Sequence, residues 1–508
     1  MKFILTNLIL LVQISIFSQT ISSRVIDYSN CRDGENVEYC KTHKIMNKFK
    51  KDAEAYHHFL EDQKELKKIE NRISKSTSKR NIYTIPLVFH VLHNGGVENI
   101  SSAQIEDAVS ILNRDFRLLN ADANNVQTTF QGMPADIEVE FQLAKKAPNG
   151  QCFSGITRTL SPLTNSGTNG SSQVSAIIGG NDVYNGTWPG NKYLNIFVVN
   201  DADGAAGYTT NPNNNWTSTS MGNGIWVLHD YVGSIGTSGV FSSRTLTHEV
   251  GHWLNLRHTW GPNNNPGNAS SCSSDDFVDD TPRCIGLTTC NLTSNSCSND
   301  AVDGYWTNDV VDNTENYMEY SNCEKMFTNG QKNRMRAALQ SNVGGRSSVV
   351  SSSNLNATGL NTTPSLCAVD IRVERDIVCG GDNIQFFDES YNNITSWNWT
   401  FPNGNPSTSN VKNPVISYSA SGTFDITLEV TDALGNSMTQ SFPNFITVIG
   451  SAGFPPPIYE GFESMTSLPS DNWTINKMSQ SFPLILKIPG SDSFDTGAFQ
   501  LPHNLFFF

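Results

Sequence analysis

The stretch Thr247–Thr259 reads THEVGHWLNLRHT and brings four chemically active side chains, His248, Glu249, His252 and His258, within eleven residues. On an α-helix, residues four apart lie on the same face, so His248 and His252 can present imidazole nitrogens to one zinc ion. Glu249 would then lie beside the metal without ligating it, where a carboxylate acts as general base toward water. The stretch therefore predicts a catalytic zinc helix.

His258 lies six residues beyond His252, which is too far around a continuing helix to meet the same ion. The helix must stop and the chain must turn back if His258 is to be the third zinc ligand. A residue in the left-handed conformation makes such a turn best, and Asn is the next most tolerant type after Gly. We therefore expect Asn255 to end the helix in the left-handed conformation.

A second stretch supports the metal site. The first pattern resembles the metzincin signature HExxHxxGxxH, with Asn255 in place of the glycine, and residues 316–320 read NYMEY, which resembles the Met-containing turn of that family. Together these stretches resemble the pappalysin-type metzincins, including the bacterial cytophagalysin-like members, over residues 85–339. The resemblance implies that Met318 lies beneath the zinc and that Tyr320 reaches toward the metal and the oxyanion.

The resemblance also implies the fold and the activity. The expected fold is an α+β metzincin catalytic domain with a mixed sheet and an active-site helix, and the expected activity is hydrolysis of protein or peptide substrates around one catalytic zinc. One alternative is a degenerate site that binds zinc without cleaving. Another is a non-catalytic extracellular adhesin or polysaccharide-binding protein with a vestigial protease domain. The intact Glu249 disfavours both.

Substrate preference stays open. The resemblance implies that the segment after the Met-turn lines the pocket for the residue that follows the scissile bond. Only Ser321 and Asn322 separate Tyr320 from Cys323 in this chain. We therefore infer no substrate preference from the resemblance.

Length and composition set broader limits. At 508 residues the chain is too long for one ordinary core, so roughly two to four domains are expected. Hydrophobic residues make up 37% and aromatic residues 10%, which argues against disorder. The net charge of −14 argues against nucleic acid as a partner, because phosphate binding needs a basic surface.

The N-terminus indicates export. Residues 1–19 contain Lys2 and then the apolar run FILTNLILLVQISIF, which is typical of a secretory signal peptide and too short for a membrane span. No later run reaches eighteen apolar residues, so no membrane span is expected. Ten cysteines fit an oxidising compartment. We therefore predict a secreted, extracellular protein.

Residues 20–80 are predicted to be a helical, charged propeptide, with residues 75–80 (KSTSKR) as a cleavable linker. The alternative is a solvated helix of the mature protein. A secreted protease must be silent during export, and a cysteine thiolate can occupy the fourth zinc position. Cys31 is our candidate for this latency switch. A plain Cys31–Cys40 disulfide is the alternative, and both stay open.

The catalytic domain is predicted to span residues 81–342. Strands are expected at residues 82–93, 136–143, 193–200 and 224–229, with a turn-rich segment at 204–215. The resemblance implies that an edge strand near residues 224–229 pairs with extended substrate. His90 and His93 fall in the first strand without motif spacing, so we expect structural roles for them.

Helix boundaries follow from capping patterns. Ser101 to Gln104 predicts the start of a helix whose apolar face holds Ile105, Ala108, Val109, Leu112, Phe116 and Leu119. Ser242 or Ser243 is expected to cap the zinc helix. Thr328 to Gln331 predicts another capping box, which opens a helix through Met335 and Leu339 that closes the domain.

The segment after His258 is a long, cysteine-rich loop. The resemblance implies disulfides Cys272–Cys297 and Cys290–Cys323, which leaves Cys284 to pair with Cys152 or to stay free. Four aspartates crowd the same loop, and clustered carboxylates suit a structural calcium ion. These candidates are Asp275, Asp276, Asp279 and Asp280. The alternative is a solvated acidic loop.

The last third of the chain changes in composition. Residues 343–366 are rich in Ser, Gly, Asn and Thr, which predicts a flexible linker. Residues 367–450 resemble an immunoglobulin-like PKD-type β-sandwich, a candidate binding module for an extracellular protein or polysaccharide. Its aromatic and aliphatic residues are expected in the core: Trp397, Trp399, Phe424, Ile426 and Leu428. Residues 451–508 resemble the start of a further β-rich module that stops short of completion.

Overall fold

The computed structural model describes residues 31–32, 35–75, 81–362, 366–373 and 375–449. The predicted signal peptide, residues 76–80 of the predicted linker and the predicted module at 451–508 lie outside the described residues. Within the described residues, an α+β part carries the larger core and an all-β part carries a second core. This is the predicted fold class.

The α+β part contains β1 (Glu38–Cys40), α1 (Thr42–Met46), α2 (Ala53–Ser74), β2 (Tyr83–His93), α3 (Ser102–Phe116), β3 (Val139–Leu143), β4 (Ile156–Leu160), α4 (Gly170–Gly180), β5 (Leu194–Val199), β6 (Ala205–Tyr208), β7 (Ile225–Leu228), α5 (Thr245–Trp253), α6 (Asn329–Leu339), α7 (Arg346–Val349) and α8 (Ser352–Ala357). The all-β part contains β8 (Ile371–Val373), β9 (Ile377–Cys379), β10 (Asn383–Asp388), β11 (Ile394–Thr400), β12 (Gly404–Asn405), β13 (Thr408–Ser409), β14 (Val415–Tyr418), β15 (Gly422–Asp432) and β16 (Ser437–Ile449).

The sheet of the α+β part is mixed, as predicted. Its order is β1-β6-β7-β5-β2-β3, and β4 also pairs with β2. The long strand β2 is central, because its first half pairs with β3 and its second half with β4, both in parallel. Every residue of β5 is buried. Such continuous apolar strands are expected where a parallel sheet is covered on both faces.

The edge of the sheet differs from the prediction. The strand predicted at residues 224–229 is β7 (Ile225–Leu228), which lies between β5 and β6 rather than at the edge. The outer strand of the catalytic part is β6, which lies in the segment predicted to be turns, and β1 pairs with it in parallel. The sequence of β6, Ala-Ala-Gly-Tyr, has little β propensity, so only its tertiary pairing makes it a strand.

The helix α3 begins as predicted, since the side chain of Ser101 accepts a hydrogen bond from the Gln104 N–H. Its predicted apolar face is buried except at two positions. Val109 is half-buried, and Leu119 is 71% exposed. The helix ends at Phe116 and Leu118 has a positive φ of 52°, so the chain leaves the helical path before Leu119.

The other two capping predictions have different outcomes. At α6 the capping box of Thr328 and Gln331 is formed. The zinc helix α5 instead has Arg244 at its N-cap and no side-chain cap. The hydroxyls of Ser242 and Ser243 donate to backbone carbonyls of the preceding turn, so neither cap prediction for α5 was right.

The N-terminal segment lies against the catalytic part along α2. Leu66 packs with Ala338 and Val343, and Ile69 and Ile73 pack with Ala337 of α6. Polar contacts flank these apolar ones. The Asp62 carboxylate accepts hydrogen bonds from the backbone and side-chain nitrogens of Asn214, at 2.7 and 2.6 Å. The predicted charged helix is thus present, with one face buried.

The predicted linker is largely ordered structure. Its first part forms α7 and α8, and Val343, Arg346 and Val349 are buried. The guanidinium of Arg346 donates to the Trp253 carbonyl at 3.1 Å and lies over the Trp253 ring. Ser- and Gly-rich composition indicated flexibility, but these few larger side chains anchor the segment to the end of α5.

The all-β part is a sandwich of two sheets, with orders β12-β14-β10-β8 and β13-β11-β15-β16-β9. Four of the predicted core residues are buried, namely Trp399, Phe424, Ile426 and Leu428. Trp397 is only partly buried, and its Nε1–H donates to Asp388 at 2.7 Å. The sandwich topology and the core agree with the predicted immunoglobulin-like module.

A disulfide joins the two parts of the chain. Cys152 of the catalytic part is bonded to Cys367 at the start of the sandwich, with a Cα–Cα distance of 6.1 Å. Cys284 is buried and free, which is one of its two predicted outcomes. Among the described helices, none combines the length and apolar character needed to cross a membrane.

Candidate active site

Two of the three predicted zinc ligands lie on one face of α5. His248 and His252 are one turn apart on this helix, and both are fully buried. Their Nε2 atoms lie 3.1 Å apart, and His252 Nε2 lies 3.2 Å from His258 Nε2. The structure thus brings the three imidazoles around one point, the arrangement that a tetrahedral metal ion requires.

The turn that returns His258 to this point is at Asn255. Asn255 has a φ of 80°, the left-handed conformation that the sequence predicts. The Leu256 N–H donates to the Gly251 carbonyl at 2.9 Å, and the Arg334 guanidinium donates to the Asn255 carbonyl at 2.7 Å. These bonds satisfy backbone groups that the end of the helix leaves free.

Each imidazole is oriented through its other ring nitrogen. The Nδ1 atoms of His248, His252 and His258 lie 2.8, 3.0 and 2.7 Å from the carbonyl oxygens of Tyr317, Leu256 and Asn263. A carbonyl can only accept, so each Nδ1 carries the hydrogen and each Nε2 presents its lone pair. Three lone pairs this close repel one another unless a cation lies between them, so the donor set fits zinc.

The surroundings keep the imidazoles neutral. Burial lowers the pKa of His252 to about 4. Burial, followed by the proximity of the neighbouring imidazoles, lowers the pKa of His248 and His258 well below its usual value. Neutral imidazole is the form that ligates a metal.

A cysteine completes the cluster, and it is Cys40 rather than Cys31. Ligand atoms of Cys40, His248, His252 and His258 all lie within 4.8 Å of one another, and all four residues are buried. Cys31 is not in this group. Cys40 takes part in no disulfide, so the alternative Cys31–Cys40 disulfide is not formed. The structure therefore moves the latency candidate from Cys31 to Cys40.

Glu249 lies on α5 beside the three histidines and is fully buried. Burial raises the pKa of its carboxyl to about 8, while hydrogen bonds from Cys40 and Thr42 oppose that rise. The Thr42 hydroxyl donates to Glu249 Oε2 at 3.0 Å. Close approach to the sheet is possible here because Gly207 of β6 has no side chain, and a Cβ would lie 3.0 Å from Glu249 Cγ.

The segment resembling a Met-turn lies under the histidines. Met318 is fully buried, and its sulfur packs against Gly251 of α5, where any Cβ would overlap it. The ring of Tyr320 lies 4.9 Å from that of His258. The Tyr320 hydroxyl accepts from Asn264 Nδ2 at 2.8 Å and donates to the Cys40 carbonyl at 3.1 Å. Tyr320 thus lies against the histidines, and Met318 packs against the helix that carries two of them.

The N-terminal segment fills the cleft with residues that the sequence did not indicate. His43 is buried, and its ring lies 4.6 Å from His258 and 5.2 Å from His252. Thr42 and Asn264 also contact the predicted catalytic side chains. These residues come from separate loops or short helices and share no motif spacing, so sequence patterns offer no signal for them.

A buried ion pair lies close to the three histidines, from which it is separated by the ring of Tyr39. Arg32 pairs with Glu324, and their side chains are 3% and 6% exposed. The Arg32 guanidinium also lies 3.5 Å over the ring of Tyr39, which is in edge contact with His248 at 5.1 Å. Glu324 follows the Met-turn segment and lines a cavity of about 640 Å³ with Val240 and other residues.

The four aspartates predicted to bind calcium do not converge. Within the described residues they form no cluster of three carboxylates. Three of them are engaged by the protein, and Asp275 accepts from the Phe277 N–H at 2.7 Å. Asp276 accepts from Val278 N and Thr281 Oγ1, and Asp280 accepts from Thr328 Oγ1 and Gly330 N. Calcium binding stays a prediction. The disulfides Cys272–Cys297 and Cys290–Cys323 in this loop are formed, as predicted.

Comparisons with known proteins agree with this geometry. A family model described as pregnancy-associated plasma protein-A matches residues 178–340, and a PKD domain model matches residues 369–446. The extracellular metalloprotease of Arthroderma otae is 28% identical over 262 residues, which are 51% of this chain and 78% of that protein. Extracellular metalloprotease 1 of Coccidioides posadasii is 31% identical over 197 residues, 37% of this chain and 62% of that protein.

A solved structure covers the same region. A promirolysin mutant from Tannerella forsythia is 30% identical, with a TM-score of 0.51. The match covers 64% of this chain and all of that chain.

Proposed function

This chain belongs to the pappalysin family of metalloproteases, and from that premise we propose that it is a latent zinc endopeptidase whose Cys40 occupies the fourth position at the metal. The protein is an extracellular metalloprotease that hydrolyses peptide bonds in proteins. The observation that carries the proposal is the buried cluster of Cys40 with His248, His252 and His258. Promirolysin, a relative solved in its proform, supports it.

The residues of the site have separate tasks in the proposed reaction. His248, His252 and His258 hold the zinc, which, when bound, supplies Lewis acidity toward a peptide carbonyl and toward water. Glu249 accepts the proton of the attacking water and returns it to the leaving amine. The Tyr320 hydroxyl, once released by the Cys40 carbonyl, can donate a hydrogen bond to the oxyanion that develops on the substrate.

The N-terminal segment blocks each of these groups at once. The Cys40 sulfur lies at the three histidines, the Thr42 hydroxyl holds Glu249, and the Cys40 carbonyl holds Tyr320. Strand β1 occupies the edge of β6, where an extended substrate would pair. We therefore propose residues 20–80 as the propeptide, residues 81–342 as the protease domain and residues 367–450 as the PKD-type domain. The packing of α7 and α8 on the protease extends its folded unit to residue 362.

The ion pair of Arg32 and Glu324 suggests the substrate preference. A buried carboxylate strongly favours a cationic partner, because an unpaired buried charge is costly. Glu324 lies in the segment after the Met-turn, which in metzincins lines the pocket for the residue following the scissile bond. We propose that Arg32 occupies this pocket in the latent form and that an arginine or lysine of the substrate replaces it.

The experiment compares wild type with Glu249→Ala after removal of the propeptide. Both proteins should bind one zinc per chain, because the three ligands are intact. Casein hydrolysis by the variant should fall by about 10²–10⁴, the usual contribution of a positioned acid–base group. A chelator should abolish wild-type activity and zinc should restore it. Variant activity within tenfold of wild type would show that another group is the base.

Calcium remains a separate proposal for the acidic loop. Asp275, Asp276, Asp279 and Asp280 lie within one short segment, and carboxylate and carbonyl oxygens are the ligands that calcium prefers. Bound calcium would stabilise the folded loop by linkage. Millimolar calcium should therefore raise the melting temperature, whereas magnesium should not. An unchanged melting temperature would return these aspartates to the solvated-loop interpretation.

The PKD-type domain is proposed as a binding module for an extracellular protein or polysaccharide. Its hydrophobic residues form its own core, so binding would use its surface rather than the Trp399 layer. Co-sedimentation of the intact Glu249→Ala protein with insoluble polysaccharides and with collagen tests this role. The non-catalytic alternative for the whole chain is favoured by no observation.

A further inference from the structure

A lysine of the N-terminal segment, Lys41, is bound by an aspartate of the catalytic part, Asp203. Lys41 follows Cys40, and its backbone N–H donates to the Gly207 carbonyl at 3.2 Å, which continues the pairing with β6. Its ammonium group donates to the carboxylate and to the backbone carbonyl of Asp203, each at 2.7 Å. The Lys41 and Asp203 side chains are 20% and 18% exposed. Asp203 thus binds a cation through two oxygens at the rim of the cleft.

The local backbone points Asp203 toward this partner. Asp203 has a φ of 56° at the tip of the turn that joins β5 to β6. The neighbouring Asp201 carboxylate accepts from the backbone N–H groups of Gly167 and Gly204, at 3.1 and 3.0 Å, and so shapes the turn. The two acids have different tasks, because Asp201 binds backbone while Asp203 binds the ammonium group of Lys41.

A cavity of about 570 Å³ adjoins Asp203. The rings of Tyr208 and Trp226 stack along its wall, with centroids 5.1 Å apart and planes 7° apart. Ile45 and Lys48 of the N-terminal segment line the same cavity and cover it. Aromatic walls accommodate a long aliphatic stem, and a carboxylate at the rim suits its charged end. Lysine and arginine side chains have this combination.

We propose that Asp203 and the aromatic cavity form a second subsite for a lysine or arginine of the protein substrate. This subsite is additional to the position served by Glu324. It lies at the edge of β6, on the face of the sheet that packs against α4. Lys41 occupies its acidic rim in the latent form. The inference rests on the proposed function, because the N-terminal segment must leave before a substrate can replace it.

The test is Asp203→Asn in the activated enzyme, profiled on a peptide library. Asn removes the charge but tolerates the left-handed conformation about as well as Asp, so the turn should be kept. Wild type should select basic residues at two positions, and the variant should lose one of them. For peptides with lysine at that position we expect kcat/KM to fall about fivefold, the upper range for a partly exposed ion pair. The kcat/KM for peptides with alanine at that position should be the same in the variant and in wild type.

Glu324→Gln is the matched control, because it should weaken the preference for a basic residue only at the substrate position that Glu324 serves. An Asp203→Asn enzyme with the wild-type profile and the wild-type melting temperature would overturn the proposal. A failure of the proposed function would look different. Activated wild type would then be inactive, or Glu249→Ala would remain active, before any profile could be compared.

A double-mutant cycle in the proenzyme gives a second measurement. Lys41→Ala should raise the residual activity of uncleaved proenzyme severalfold, since the segment loses one anchor. The same change in the Asp203→Asn background should add nothing, because the two side chains act as a pair. Additive effects of the two substitutions would contradict the assignment of Lys41 to Asp203.

Discussion

The N-terminal segment and the PKD-type domain are both attached to the same catalytic part, but by opposite means. The N-terminal segment buries Cys40, Thr42 and His43 in the active site through non-covalent contacts. The PKD-type domain has its own core and is joined by the Cys152–Cys367 disulfide. The first attachment depends on chain continuity, whereas the second would survive a cut in the chain between the two parts.

This difference has a physical consequence for activation. While the segment is tethered, its effective concentration at the cleft is high, and one cut in the chain removes that advantage. The contacts of Cys40 and Thr42 can then be replaced by substrate. The disulfide keeps the PKD-type domain beside the catalytic part throughout. The N-terminal segment can therefore be released by one cut in the chain, whereas the PKD-type domain stays attached.

The largest expected effect is on the activity of the uncleaved proenzyme, in which the N-terminal segment blocks the active site. Cys40→Ala proenzyme, uncleaved, should hydrolyse casein at least about a hundredfold faster than wild-type proenzyme, because a thiolate–zinc bond contributes several kcal/mol and each 1.4 kcal/mol is tenfold. The measurement is activity of intact proenzyme, with chain length checked by mass spectrometry.

Cys31→Ala is the matched control for this prediction. Cys31 is buried and is not part of the group formed by Cys40 and the three histidines, so its removal should leave the proenzyme silent. A Cys40→Ala proenzyme that stays inactive until it is cleaved would show that the other contacts of the segment suffice for latency.

The next largest effect is expected when the disulfide that holds the PKD-type domain is removed. Replacing Cys152 and Cys367 by serine removes a link between residues 215 positions apart. Such a crosslink contributes about 2–4 kcal/mol. We expect a separate, earlier unfolding transition of the PKD-type domain in calorimetry, with peptide hydrolysis within twofold of wild type. One transition at the wild-type temperature would mean that non-covalent contacts alone hold the domains together.

A smaller effect concerns the turn at Asn255, which the N-terminal segment also contacts. Gln63 of α2 donates to the Asn255 side-chain oxygen at 3.1 Å. Asn255→Val should strain the left-handed turn, displace His258 and weaken zinc binding about tenfold. Asn255→Gly should bind zinc as wild type does. Competition with a chromogenic chelator measures both, and equal affinities would contradict the turn argument.

The smallest effect is expected at Glu70, which lies on α2. Its carboxylate faces the buried Arg334 at 3.5 Å, so Glu70→Gln should loosen the segment by about 1–2 kcal/mol and speed activation severalfold. Glu61→Gln is the control, because the Glu61–Lys64 pair is exposed and contributes little. Equal activation rates for the two variants would mean that Glu70 does not help to hold the segment.

The comparison of the two attachments also shows where sequence reasoning succeeds. The zinc helix, the left-handed Asn255 and the capping box at Thr328 depend on contacts between residues a few positions apart, and each was predicted. The choice between Cys31 and Cys40 was not. Both lie in a charged segment without motif spacing to the histidines, and Cys40 reaches them only because β1 pairs with β6.

The amino-acid sequence by itself predicted the grouping of the three histidines and Glu249, the turn at Asn255 and the sandwich core, because helical and strand periodicity indicate which residues share a face. Tertiary structure alone decided that β1 pairs with β6 at the edge of the sheet, that residues 346–357 pack as helices and that Cys40 meets the histidines. Those outcomes depend on contacts between segments that lie far apart in the chain. The free energy of such contacts comes from burial and pairing that no local pattern records.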